Sequence, residues 1–114
     1  MLDEGDIVWV DFDPVRGREQ GGVRPALVLT PAIFHEKRST AIVCPITGNT
    51  APWPTKVMLP DGIGVSGAVL AEQIRVVDRT NRGFRKVGTA PRATLYQVRR
   101  IIGDLLQIND TSGA

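Results

Sequence analysis

Between Asp13 and Pro25 the chain concentrates side chains that can bind anions and move protons. Arg16, Arg18, Glu19, Gln20 and Arg24 are spaced by Gly17, Gly21 and Gly22. A guanidinium presents a planar fork to two oxygens of one phosphate. A carboxylate in a sheltered site can act as a general base. Groups of this kind often sit on loops held by a rigid strand at either side. Composition by itself equally fits a solvated hairpin loop.

Elsewhere the chemistry is sparse. His35 is the sole histidine, so a two-histidine acid–base pair within one chain is excluded. Its setting, Phe34-His35-Glu36-Lys37, reads as an exposed helical turn. No Cys/His group has zinc-ligand spacing. Asp11 and Asp13 flank Phe12 at a strand end, and Asp3, Glu4 and Asp6 form a second acidic group. Neither has a partner motif, and aspartate before Pro14 suits a turn. No phosphate-binding or dinucleotide glycine fingerprint occurs. Cys44 lies in an apolar strand without an activating charge beside it, which reads as a buried structural thiol and leaves no intrachain disulfide. An enzyme built on this sequence is expected to work with no metal and no organic cofactor.

Several short elements must position these groups. Ile7, Trp9 and Asp11 alternate with Val8, Val10 and Phe12, the period of a strand, and Trp9 reads as core. Val23 to Thr30 makes a second strand with Pro25 near its start. Thr30-Pro31 can open one or two helical turns through Lys37. Strands follow over 40–46 and 55–59, with a loop marked by Asn49, Pro52 and Pro54 between them. Residues 66–77 read as a strand broken near Glu72, and Phe84 to Val87 as a last short one. From Pro91 onward Leu95, Val98, Ile101, Ile102, Leu105 and Leu106 recur at spacings of three and four, a helix with one apolar stripe for core or a dimer surface. Short strands followed by one helix argue for a small barrel or curled sheet with the helix packed on it.

The chain has 114 residues, enough for one domain, and is 42% hydrophobic, enough for a core. No apolar run approaches membrane-span length and no signal peptide opens it, so a soluble, cytoplasmic protein with no membrane partner is expected. The net charge of +2 is unevenly spread. Asp3, Glu4, Asp6, Asp11, Asp13 and Glu19 crowd the start. Arg75, Arg79, Arg82, Arg85, Lys86, Arg92, Arg99 and Arg100 stand against Asp78 near the end. That asymmetry suits a polyanion such as RNA, an acidic protein, or a solvated basic face.

The order of the blocks is more specific than the composition. Gly5-Asp6-Ile7-Val8-Trp9-Val10-Asp11-Phe12-Asp13-Pro14, the Gly-x-Glu-Gln loop at 17–20 and Arg24-Pro25 resemble the start of the MazF/PemK toxin endoribonucleases. Cys44-Pro45-Ile46-Thr47, Gly67-Ala68-Val69-Leu70-Ala71-Glu72-Gln73, Lys86-Val87-Gly88 and the C-terminal helix continue the resemblance over about 5–108 of a single domain spanning 1–114. It implies a mainly β fold with α, an SH3-like small β-barrel of the CcdB/PemK/MazF kind with a C-terminal helix. It implies a homodimer, a single-stranded RNA substrate and a cognate MazE-like antitoxin whose flexible, often acidic tail fills the RNA groove. The implied reaction is metal-independent attack by the RNA 2′-hydroxyl, leaving 2′,3′-cyclic phosphate and 5′-hydroxyl ends.

The resemblance puts Arg24 and Thr47 at the family's catalytic arginine and threonine, and Glu19 at its functional loop glutamate. Glu72 and Gln73 match an acid-Gln block where some members place a catalytic aspartate. Here the acid is one methylene longer, and Leu70 stands where some members carry an arginine. Arg16 and Arg18 could grip neighbouring phosphates, and Gln20 could read or position RNA. Trp53 could stack on a base or pack under Pro52 and Pro54. Two other readings stay open at this point. One is a non-catalytic toxin of the CcdB-like fold that binds DNA gyrase. The other is an RNA-binding module without catalysis.

Overall fold

The alternation at the start of the chain becomes a strand buried on both faces. The computed structural model describes residues 1–13, 17 and 21–109. In it β1 (Asp6–Asp11) pairs antiparallel with β2 (Val23–Val28) on one side and β7 (Gly83–Thr89) on the other. β2 pairs with β3 (Thr40–Thr47), and between them lies the short helix α1 (Ala32–Lys37). β4 (Lys56–Met58) and β5 (Ala68–Leu70) form a hairpin whose β5 joins the end of β3. A single 3₁₀ turn (Ala71–Gln73) breaks the chain near Glu72, as the sequence suggests, and β6 (Arg75–Asp78) then returns along the first half of β3. Helix α2 (Arg92–Leu105) ends the fold. Among the described residues this gives seven antiparallel strands in the order β4-β5-β3-β2-β1-β7, with β6 branching from β3. No helix among the described residues is long and apolar enough to cross a membrane.

Period-two alternation divides the side chains between two cores. Ile7, Leu27, Cys44 and Ile46 point to one face and pack with Val57, Val69, Ala90, Leu95 and Val98 under α2. Val8, Val10, Ala26, Val28, Ala41, Val43 and Val77 point to the other, closed by Phe12. Each fully buried Val, Leu, Ile or Phe side chain contributes about 1.5–3 kcal/mol, so neither face is free to turn to solvent. Burial drives the Cys44 thiol up to about 12, which keeps it inert and agrees with the structural role read from sequence. Pro25 sits one residue before the β2–β3 ladder begins at Ala26, where its missing N–H costs no rung. Phe84 is the extra residue where the β1–β7 register skips from Trp9–Arg85 to Val10–Gly83. Its φ of 76° marks the bulge.

Two expectations from sequence are corrected. Trp9 is half-buried rather than core. His35 is 7% exposed, not on the surface. Its Nε2 lies 2.7 Å from Thr30 Oγ1 and its Nδ1 2.9 Å from Leu2 O. The helix it belongs to takes its polar closure from far along the chain. Asp3 Oδ1 accepts the Ala32 N–H, and Arg79 donates to the carbonyls of His35, Arg38 and Ser39. These contacts satisfy end groups that a six-residue helix cannot satisfy itself. The apolar stripe of α2 is core only in its first half, since Leu105 and Leu106 are exposed.

Candidate ribonucleolytic site

Strand register brings the candidate arginine and threonine to one face. Ala26 opposes Pro45 in the β2–β3 ladder. Arg24 lies two residues before Ala26 on β2 and Thr47 two residues after Pro45 on β3, so the pleat puts both on the face of Ala26 and Val43. Both lie at the end of the second core, where apolar side chains give way to polar ones. Arg24 is half-buried, and its Nε donates to Gly21 O at 2.8 Å. That bond fixes the guanidinium at the foot of the glycine-rich loop.

Thr47 is 5% exposed. Its Oγ1 accepts the Asn49 N–H at 3.1 Å, which orients the hydroxyl at the strand end. Close approach of β5 sets the strand end. A Cβ on Gly67 would stand 2.4 Å from Thr47 O, and φ there is +129°, so only glycine fits.

Sequence reasoning missed a second arginine at this site. Arg75 opposes Val43 across β3–β6, which puts it on the same face as Arg24 and Thr47. Its guanidinium lies 5.1 Å from the centroid of the buried Phe12 ring, a cation–π contact. The available signal was a basic residue two positions after Glu72-Gln73, but nothing in the sequence linked it to Phe12.

The base of the loop is tied by Asp11 and Asp13. Asp11 Oδ1 accepts the Asp13 N–H, and Asp13 Oδ1 accepts the Gly22 N–H, both at 2.9 Å. Arg82 donates to the backbone carbonyls of Asp11 and Asp13. These carboxylates therefore shape a turn. Among the described residues no three His, Cys, Asp or Glu side chains gather as metal ligands would. Arg16, Arg18, Glu19 and Gln20 lie outside the described residues.

Glu72 is exposed and accepts a hydrogen bond from Thr55 Oγ1 at 2.6 Å, which commits it to the end of the 48–55 loop. Gln73 is half-buried beside it. Trp53 projects from that loop, 62% exposed, which removes the reading in which it packs under its flanking prolines. The basic excess near the C-terminus is partly structural. Besides Arg79 and Arg82, Lys86 pairs with the buried Asp6 at 3.1 Å, Arg99 pairs with Glu4, and Arg92 donates to Tyr96 at 2.9 Å.

A family model for the PemK-like, MazF-like toxin of type II toxin–antitoxin systems matches residues 3–106. The chain belongs to that family. This PemK/MazF-family chain is 36% identical over 104 residues to the endoribonuclease toxin MazF of Escherichia coli K12, covering 91% of the chain and 93% of that protein. It superposes on the crystal structure of MazF from Deinococcus radiodurans with a TM-score of 0.89 and 42% identity, over 93% of this chain and 96% of that one. A MazE–MazF structure from the same organism gives a TM-score of 0.80 and 37% identity, over 92% and 94%. The PemK/MazF fold is thus mainly β with a C-terminal helix, as the sequence blocks imply.

Proposed function

We propose that this single-domain chain is the toxin half of a type II toxin–antitoxin pair, a metal-independent endoribonuclease that cuts single-stranded RNA at a short sequence. The observation that carries the reading is the placement of Arg24 and Thr47 on one face at the end of a rigid sheet. Relatives covering more than nine-tenths of the chain are named endoribonuclease toxins, which disfavours a gyrase binder or a module without catalysis.

The substrate supplies its own nucleophile. The 2′-oxygen bonds to phosphorus, the P–O5′ bond breaks, the 2′-hydroxyl proton passes to a base, and the departing 5′-oxygen takes a proton from solvent. The products are a 2′,3′-cyclic phosphate and a 5′-hydroxyl. Glu19 is assigned as the base on sequence grounds. Arg24 clamps the scissile phosphate beside the leaving oxygen as a charge stabiliser rather than a base, since a guanidinium offers donors and no acceptor. Thr47 donates to a phosphate oxygen. Arg16 and Arg18 grip flanking phosphates, Gln20 contacts RNA, Gln73 supports the site, and Trp53 stacks on a base. Unpaired RNA is the fitting substrate because a duplex hides its base edges.

The partner is a cognate MazE-like antitoxin, in line with the MazE–MazF assemblies of the Deinococcus relative. The working unit is a homodimer in the cytoplasm. Arg24→Ala tests the assignment, with cleavage expected to vanish while circular dichroism and melting stay near wild type. Full-rate cleavage by that variant would remove Arg24 from the mechanism.

A further inference from the structure

The loop that leaves Thr47 is fastened by one side chain that the reaction itself does not need. Lys56 Nζ donates to Asn49 O at 2.9 Å and to Ala51 O at 3.0 Å. The Lys56 backbone N–H donates to Trp53 O at 3.0 Å. Two carbonyls thus converge on one ammonium, an arrangement that would repel without a cation between them. Lysine suits the task because its compact head carries three donors.

The loop is pinned at both ends as well. Thr47 Oγ1 holds the Asn49 N–H, and Asn49 Oδ1 holds the Ala51 N–H. At the far end Thr55 donates to Glu72 Oε1, and its carbonyl accepts the Ala71 N–H at 3.1 Å. What projects beyond these ties is Pro52-Trp53-Pro54, with the indole exposed.

We propose that Lys56 is a positioning residue for RNA. It presets the 48–55 loop so that Trp53 stands as a stacking platform near the phosphate held by Arg24 and Thr47, and it thereby sets affinity for the nucleotide that flanks the cleaved bond. The inference rests on the endoribonuclease reading and deepens it. An ordered platform binds a base without first losing loop freedom. A ring held equally by ground state and transition state lowers KM and leaves kcat unchanged.

Lys56→Met keeps the aliphatic stem and removes the head. On an RNA carrying a site cut by the wild type, it should raise KM about tenfold, part of what loss of a whole stacking platform costs, with kcat within about threefold. Lys56→Arg should restore most of the affinity. In a Trp9→Phe background, where Trp53 is the sole tryptophan, fluorescence anisotropy should decay faster with Lys56→Met than with Lys56. Trp53→Ala should raise KM much less in the Lys56→Met protein than in the wild type, since coupled residues are non-additive. Fully additive effects, or an unchanged anisotropy decay, would overturn the proposal. Absence of RNA cleavage by the wild type would instead refute the functional reading, and the anisotropy comparison would still decide whether Lys56 holds Trp53.

Discussion

Replacing Thr47 by valine separates what the hydroxyl does for folding from what it does for the reaction. In the folded chain the contacts of Thr47 include a neutral hydrogen bond, Asn49 N–H to Oγ1 at 3.1 Å, which valine cannot accept. Such a bond contributes about 0.5–1.5 kcal/mol. The added methyl falls at a site only 5% exposed, which offsets part of the loss. A net cost near 1 kcal/mol lowers Tm by roughly 4 °C for a chain of this size. Against a typical stability of about 5–15 kcal/mol, the protein stays folded at 25 °C. A donor aimed at transition-state oxygens contributes far more, about 2.7–4 kcal/mol, or a hundred- to a thousandfold in kcat. Single-turnover cleavage with enzyme in excess, run beside a thermal melt, reads both quantities. Thr47→Val should lose at least a hundredfold in rate with a small shift in Tm, and Thr47→Ser should stay within about tenfold. Cleavage by Thr47→Val within threefold of wild type would refute the assignment. So would rates for both variants that merely track their melting temperatures.

Gly67→Ala should be more damaging to the fold than its size suggests, because its Cβ would meet Thr47 O at 2.4 Å on a backbone with φ of +129°. A loss of about 3 kcal/mol is expected from strain and overlap, visible as a Tm lowered by about 12 °C or more. Hydrogen bonds from the Ala32 and Glu4 backbone N–H groups hold the Asp3 carboxylate below its ordinary 3.8. A lowered folded-state pKa stabilises the fold above 3.8, and that contribution is lost as pH falls through the lower value. Acid titration followed by circular dichroism should therefore show a flatter profile below pH 3.8 for Asp3→Asn than for wild type. Glu72→Gln keeps an acceptor for Thr55 and should cleave within about threefold of wild type, whereas Glu19→Gln should lose about 10²–10⁴-fold. The opposite order would make Glu72 the base.

Local periodicity carried most of the fold into view from sequence. The alternation of β1, the stripe of α2 and the break near Glu72 each depend on residues a few positions apart, where a pattern reports burial directly. What stayed hidden depends on contacts between distant segments. His35 looks solvated among Phe34, Glu36 and Lys37, yet Leu2 and Thr30 close over it. Helix α1 has no side-chain cap of its own because Asp3 reaches its first turn. Arg75 joins the site only because β6 folds back along β3 and delivers its guanidinium to Phe12. Arg24 and Thr47 were named by resemblance, and strand alternation gives a physical reason why they share a face. Lys56 drew no notice in sequence, since its partners are backbone carbonyls, which every residue has.

The most direct test of the account is cleavage of a long, defined single-stranded RNA in excess EDTA, with the chemistry of both new ends determined. The account predicts discrete cuts at one short sequence, leaving 2′,3′-cyclic phosphate and 5′-hydroxyl ends. Folded, antitoxin-free protein that leaves the RNA intact, or cuts it only when a divalent metal is restored, would contradict it.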